Sequence, residues 1–144
     1  HNAGRYDESI ALYSSILSGS PETYVRAIIY IHRGMAQFAR GNYSAAVEDF
    51  YLAVQIDEAN GKARYYCGMA LYMQDNLEEA INNLDIALAS GYRELDCLFS
   101  RALVYYRLGD MASALSDCDD ALQLDEDSRS VRRLRTRIVQ KLGV

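Results

Sequence analysis

Residues 34–53 read GMAQFARGNYSAAVEDFYLA, and two later stretches repeat their pattern at a constant offset. The second is GMALYMQDNLEEAINNLDIA at 68–87, and the third is ALVYYRLGDMASALSDCDDA at 102–121. Small residues and turn residues recur every 34 positions along four ladders. The ladders are Gly34, Gly68 and Ala102; Ala46, Ala80 and Ala114; Ala53, Ala87 and Ala121; and Gly41, Asp75, Gly109 and Gly143. A fixed period of this length indicates a stack of identical supersecondary units.

Each unit contains two apolar stripes of helical spacing on either side of a short turn rich in Gly, Asn or Asp. The spacing predicts helices at 5–18, 22–39, 43–57, 60–73, 77–89, 94–107, 111–123 and 128–142. Helices of this length are marginal alone in water, so they must be stabilised by the packing of one hairpin on the next. We therefore predict an all-α solenoid of antiparallel helix pairs.

A pair of opposite charges recurs with the repeat. Arg33 precedes Asp49 by sixteen residues, and Arg101 precedes Asp117 by the same separation. In the middle unit the corresponding residues are uncharged. Loss of both charges together is expected if the two side chains form an ion pair between the helices of one hairpin, because one charge buried alone is costly.

Composition excludes several classes of function. The net charge of −5 argues against general nucleic-acid binding, and no apolar run is long enough to cross a membrane. We find no phosphate loop, dinucleotide fingerprint or metalloprotease motif, so we expect no enzymatic activity and no cofactor. Three cysteines without metal-ligand spacing predict free thiols, no metal site and a reducing, cytoplasmic location; they are Cys67, Cys97 and Cys118.

These residues resemble the tetratricopeptide repeat family. The matching pattern in one unit is Gly34, Gly41, Tyr43, Ala46, Phe50 and Ala53, and it recurs in the two following units. The resemblance implies a single domain over 1–144, folded as a right-handed α-solenoid. Residues 1–21 would be the second helix of a partial repeat, 27–60, 61–94 and 95–128 full repeats, and 129–144 a capping helix. The start in mid-pattern suggests a piece of a longer protein, with about three residues inserted near 24–26.

In this family the first helix of each hairpin lines a concave groove. The resemblance implies that the partner-binding residues are His32, Met35, Phe38, Lys62, Tyr65, Tyr66, Met69, Tyr72, Met73, Phe99, Leu103, Tyr106 and Arg107, beside Ile28, Ile31, Ala39, Asp96 and Ser100. Met35, Met69 and Leu103 occupy sites where the family often has Asn. An apolar groove of Met and Tyr suits a partner's amphipathic helix or apolar strand. The alternative is that these side chains only pack between helices.

The overall interpretation is a protein-interaction scaffold that binds a partner peptide or helix without turnover. Two alternatives stay open: a spacer or self-association segment of a longer protein, and the regulatory region of an enzyme whose catalytic domain lies elsewhere. One subset of the family grips acidic chaperone tails through Lys, Asn and Arg. Here the corresponding residues are Ile31, Met35, Tyr66, Asp96 and Ser100, which argues against that ligand.

The two ends of the chain carry different expectations. The last helix has six cations and no carboxylate, namely Arg129, Arg132, Arg133, Arg135, Arg137 and Lys141. We expect the acidic segment 117–127 to neutralise them locally, with an anion-binding strip as the alternative. The first helix has no preceding partner for its apolar face of Tyr6, Ile10, Tyr13, Ile16 and Leu17, which predicts homodimerisation or fraying there.

Overall fold

The computed structural model describes residues 2–143, and within that range it contains eight helices and no strand. The helices are α1 (Asn2–Ser18), α2 (Thr23–Arg40), α3 (Tyr43–Ile56), α4 (Gly61–Met73), α5 (Leu77–Ala89), α6 (Glu94–Leu108), α7 (Met111–Leu124) and α8 (Arg129–Leu142). All eight predicted helices are present, and their ends differ by a few residues from the prediction. The three extra residues near 24–26 lie in the first turn of α2, so they lengthen that helix.

The turn ladder marks where the first helix of each hairpin ends. Gly41, Gly109 and Gly143 have φ values of 90°, 87° and 73°, in the left-handed region that terminates a helix. Asp75 occupies the same position after α4 with φ 62°, where a side chain adds strain that glycine avoids. The 34-residue period therefore repeats a backbone conformation.

The glycine and alanine ladders allow the helices of a hairpin to approach closely. A Cβ added to Gly34 would lie 2.7 Å from the Phe50 ring, and one added to Gly68 would lie 2.9 Å from Leu84 Cγ. At the interface between hairpins the third ladder is fully buried, at Ala53, Ala87 and Ala121. Small residues thus stand where a larger side chain would clash with the next helix.

The two predicted ion pairs are present. Arg33 on α2 donates from Nε and Nη2 to the Asp49 carboxylate on α3, at 2.9 and 2.6 Å. Arg101 on α6 contacts Asp117 on α7 in the same bidentate way, at 2.8 and 2.7 Å. Each guanidinium also reaches the preceding helix, at Ser14 on α1 for Arg33 and at Asp85 on α5 for Arg101. Each arginine therefore joins three consecutive helices.

The middle hairpin, α4–α5, has a network centred on the neutral Asn83 amide in place of the ion pair. The Asn83 amide on α5 donates to the Tyr51 hydroxyl on α3 at 3.2 Å, and its oxygen accepts from Arg64 on α4 at 3.1 Å. Tyr51 donates to Glu79 at 2.8 Å. Burial raises the pKa of the Tyr51 hydroxyl to about 12, and burial also raises the pKa of the Cys67 thiol to about 12. Three helices are joined here too, without a buried charge pair.

The two ends of the stack are covered differently. On α8, Val131, Leu134 and Ile138 are buried against the last hairpin, as expected for a capping helix. At the other end α2 covers most of the apolar face predicted for α1, so that Tyr6, Ile10, Tyr13 and Leu17 are half-buried. The large apolar side chains of α1 that stay exposed are Leu12 and Ile16, at 59% and 40%. Across residues 2–143, no helix has the length and apolar character needed to cross a bilayer.

Candidate partner-binding groove

The contacts between helices define a concave side. Each helix packs on its neighbours in the chain, and in addition α2 contacts α4, α4 contacts α6 and α6 contacts α8. Among the described residues, the odd-numbered helices make no such contacts with one another. The even-numbered helices therefore line the inner side of the curve, and we call the surface that they form the groove.

The floor of the groove is apolar between α4 and α6. Met69 and Leu103 are half-buried and line open hollows together with Tyr65 and Phe99. Burial of the Tyr65 ring raises its pKa, and its hydroxyl accepts a hydrogen bond from Ser100 at 3.4 Å. Met69 and Leu103 are thus accessible from the groove and not sealed between helices.

At the α2 end of the groove, the aromatic side chains pack mainly on one another. Tyr66 lies between Phe38 and Phe50, with ring centroids 6.4 and 6.2 Å away. Met35 packs against the same core cluster. Ile31 was expected to face the groove, and this was wrong, because the side chain is buried in that cluster. At this end of the groove, the predicted site residues Met35, Phe38 and Tyr66 therefore pack mainly between helices.

Several other predicted residues on α2 and α4 are exposed or half-buried. His32 is exposed and stacks on Tyr13 of α1, with centroids 5.9 Å apart. Lys62 is half-buried at the start of α4, and Met73 at its end is 49% exposed. Ile28 and Ala39 are exposed along α2.

Beside Leu103, Tyr72 and Tyr106 line a hollow that continues toward α8. The Arg107 guanidinium stacks on the Tyr72 ring at 4.5 Å and bridges to Asp75 at 3.4 Å. Arg107 is therefore held against the wall of the groove by an aromatic ring and a carboxylate. Asp96, at the start of α6, lines the hollow beside Tyr65 and lies 4.0 Å from Arg93.

The sequence prediction missed one wall of the groove, which α8 supplies. Arg133, Leu134 and Arg137 line a hollow with Phe99 and Leu103. Lys141 lines the next hollow, with Tyr72 and Tyr106. The signal for this wall was present in the repeat, because adding 34 to the groove positions of α6 gives these positions on α8.

The expected local neutralisation of α8 holds for only part of its charge. Arg135 bridges to Asp119 at 2.7 Å, and Arg132 donates to the Glu126 carbonyl at 2.7 Å. Within residues 2–143, no carboxylate lies within 4.0 Å of the charged nitrogens of Arg133, Arg137 or Lys141. The helix therefore has one neutralised side and one side whose charges face the groove.

The buried thiols outside the groove have raised pKa values. Burial raises the pKa of the Cys97 and Cys118 thiols to about 11, which disfavours the nucleophilic thiolate of both. Across the described part of the chain, no three His, Cys, Asp or Glu side chains converge as ligands for a metal ion. The groove can bind through shape, apolar contact and charge.

Comparison with known proteins identifies the family. A tetratricopeptide repeat family model matches residues 2–63 and 67–129. Among curated proteins, the chain is 31% identical over 115 residues to a DnaJ homolog subfamily C member 7 homolog from Schizosaccharomyces pombe. That match covers 77% of this chain and 24% of the relative. The chain spans between 9% and 24% of the length of the curated relatives it matches.

Solved structures agree with the fold. The crystal structure of MamA superposes with a TM-score of 0.91 at 21% identity, covering 97% of this chain and 80% of that one. The first tetratricopeptide domain of Spaghetti (RPAP3), bound to the HSP90 peptide SRMEEVD, has a TM-score of 0.78 at 18% identity. That match covers 83% of this chain and 94% of the other. From the repeated helix pairs and the family match, the chain belongs to the tetratricopeptide repeat family and is an all-α, right-handed solenoid.

Proposed function

We propose that this chain is a non-catalytic scaffold that holds a segment of a partner protein in the groove. The observation that carries the proposal is the accessibility of Met69 and Leu103, which line open hollows between aromatic side chains. A contiguous exposed apolar surface is costly in water and is typical of an interaction site. Thioether and tyrosine side chains adapt to irregular apolar surfaces and provide a polar edge for hydrogen bonds.

Related structures support peptide capture by this fold. Structural neighbours include tetratricopeptide domains in complex with HSP90 and HSP70 peptides. In this chain the residues at the positions of the chaperone-tail clamp are uncharged or acidic, and both Ile31 and Ser100 are buried. We therefore assign the groove to a protein segment that binds largely by apolar contact.

The proposal is tested by selecting ligands from a phage-displayed library of random peptides. The selected peptides are then synthesised and their Kd values are measured. Met69→Ala/Leu103→Ala should weaken their binding by about ten-fold, because each truncation removes apolar area that the ligand would cover. The matched control is Leu52→Ala/Leu124→Ala, since both side chains are exposed on odd-numbered helices, outside the groove. An equal loss in both double variants, or no loss in the first, would contradict the assignment.

Self-association through α1 is a second candidate, favoured by the exposed apolar side chains of Leu12 and Ile16. Sedimentation of the purified chain should then show a dimer whose dissociation constant rises in Leu12→Lys/Ile16→Lys. Glu8→Lys/Ser15→Lys, at exposed polar positions of the same helix, is the control for added charge. A monomer at all concentrations would remove this candidate and leave peptide capture unaffected.

A further inference from the structure

The groove changes its chemistry along the solenoid axis. Equivalent positions on α4, α6 and α8 are 34 residues apart, and eight of the nine residues in three such rows line hollows of the groove. The rows are Tyr65, Phe99 and Arg133; Met69, Leu103 and Arg137; and Met73, Arg107 and Lys141. Each row begins with an apolar or aromatic residue on α4 and ends with a cation on α8. The groove therefore has an apolar zone on α4 and α6 and a cationic zone, which we call the α8 strip, made of Arg133, Arg137 and Lys141.

The charges of the α8 strip are available to a ligand. All three side chains are exposed, and within residues 2–143 none has a carboxylate in salt-bridge range. Arg107 beside them is already engaged by Asp75 and the Tyr72 ring. The strip occupies every fourth position over eight residues, so it extends along the helix for about 12 Å. One terminal carboxylate cannot contact all three cations over that length, whereas two or more side-chain carboxylates can.

We propose that the occupant of the groove is an internal segment of a partner protein that combines apolar side chains with Asp or Glu. This inference rests on the proposed function and adds its ligand chemistry. The apolar side chains lie over Met69 and Leu103, and the carboxylates meet the α8 strip. Arginine favours carboxylates through paired, charge-assisted hydrogen bonds. Because adjacent helices lie about 8–10 Å apart, an extended ligand places its carboxylates about three residues from its apolar anchors.

Charge and shape select a protein segment over nucleic acid. The whole chain has a net charge of −5, so a polyanion approaching from solution meets an unfavourable overall field. The apolar zone leads directly into the strip through Leu103 and Leu134, which line the same hollows as Arg137. A ligand that covers both zones needs apolar and acidic groups on one short chain, and a peptide provides both.

The experiment uses the peptides selected by phage display, where fusion to the coat protein blocks the C-terminus. The selected sequences should be enriched in Asp or Glu about three residues from Leu, Ile, Phe or Met. Arg133→Glu/Arg137→Glu should weaken binding of the selected peptides, synthesised with an amidated C-terminus, by about ten-fold at low salt. The reason is that two attractions to the carboxylates of the peptide become repulsions. This double variant should also bind peptides in which Lys replaces the acidic residues more tightly than it binds the original peptides.

The matched control is Arg129→Glu/Arg132→Glu, which makes the same charge change on the same helix outside the hollows, where Arg132 contacts the 126–127 loop. It should change the Kd by less than about two-fold. Thermal melts of both double variants verify folding, and the reversed preference for Lys-bearing peptides is a readout that mere unfolding cannot produce.

Three results would overturn the inference. Selection of apolar peptides without acidic enrichment would remove the carboxylates and leave peptide capture standing. Phosphoserine in place of Glu binding more than ten-fold tighter would reassign the strip to phosphorylated segments. Failure to select any ligand that depends on Met69 and Leu103 would remove the proposed function and this inference together.

Discussion

The hairpins α2–α3 and α6–α7 are each cross-linked by a partly buried guanidinium paired with a buried carboxylate, whereas the hairpin between them, α4–α5, is cross-linked by a buried amide. In all three cases one polar side chain joins three consecutive helices: Arg33, Arg101 and Asn83. The flanking hairpins use an ion pair of opposite charges, while the middle one uses a neutral amide between a guanidinium and a tyrosine hydroxyl. The three hairpins therefore share a polar cross-link at equivalent positions but differ in its chemistry.

The difference predicts different sensitivity to truncation. Asp49→Ala should have the largest effect, lowering the free energy of unfolding by about 3 kcal/mol, because it leaves a largely buried guanidinium with only its Ser14 hydrogen bond. Urea denaturation measures the change. The control is Glu48→Ala, at the exposed adjacent position of α3. If the two variants unfold alike, the ion pair does not stabilise the hairpin.

Asp117→Ala should lower the free energy of unfolding by less, about 2 kcal/mol. The reason is that Arg101 keeps a second carboxylate, Asp85, at 2.9 Å. Asp85→Ala should then lower the free energy of unfolding more in the Asp117→Ala variant than in the original protein. A double-mutant cycle measures this difference. Asp119→Ala, which removes an exposed bridge to Arg135, should stay within about 1 kcal/mol of the original protein. Additive losses in the cycle would show that Asp85 does not compensate.

In the middle hairpin, Asn83→Ala should lower the free energy of unfolding by about 1–2 kcal/mol, since it removes the hydrogen bonds of one neutral amide. The Arg64 guanidinium keeps its bond to the Glu58 carbonyl. Asn82→Ala, at an exposed position of the same helix, is the control in the same urea titration. A loss as large as that of Asp49→Ala would erase the distinction between the amide and the guanidinium.

Alkaline pH should lower the stability of the fold through a buried thiol of the middle hairpin. The pKa of Cys67 is raised from 9.0 to about 12 in the folded chain, so between those values the native state keeps a proton that the unfolded state releases. The stabilisation is complete below pH 9 and is lost as pH rises toward 12. Cys67→Ala should therefore reduce the fall in Tm between pH 8.5 and 10.5 by about 4 °C.

Cys118→Ala is a second test in this pH series, because burial raises that pKa to about 11. It should reduce the fall by a similar amount, since both native pKa values lie above the pH range measured. A steeper decline of Tm in Cys67→Ala than in the original protein would contradict the assignment of the protonated thiol to the native state.

The smallest expected effect concerns the turn of the middle hairpin. Asp75 has φ 62° where the flanking hairpins have Gly41 and Gly109. Asp75→Gly should raise the free energy of unfolding by about 0.5 kcal/mol, because relief of the left-handed strain exceeds the loss of the exposed bridge to Arg107. A small rise in the urea midpoint measures it, and Gly109→Asp should shift the midpoint the other way.

Much of the fold was predictable because the sequence repeats its constraints. The period of 34 located the helices from α2 onward, the same pattern offset by an insertion located α1, and the spacing of sixteen residues located both ion pairs. The network of the middle hairpin was not predictable from such spacing, because Tyr51 and Asn83 are 32 residues apart and belong to different units. Their contact depends on how one hairpin rotates on the next.

The groove was predictable where the family pattern applied, and less so at its ends. Tyr66 and Phe38 are half-buried between helices because the aromatic rings of α2, α3 and α4 fill the space at that interface. Arg133 and Arg137 were assigned to a cap whose charges are neutralised locally. The acidic segment 117–127 reaches only one side of α8, and the chain order of the charges does not reveal which side.

The chain of nearest-neighbour contacts has a mechanical consequence. Over residues 2–143, each helix contacts only the next one or two along the chain, and no contact joins α1 with α8. Tension applied to the two ends would therefore be carried through each hairpin in series, with no long-range clasp to share the load. Such a molecule is elastic: it should lengthen first by opening its curvature, and then release helices one pair at a time from whichever end holds least tightly.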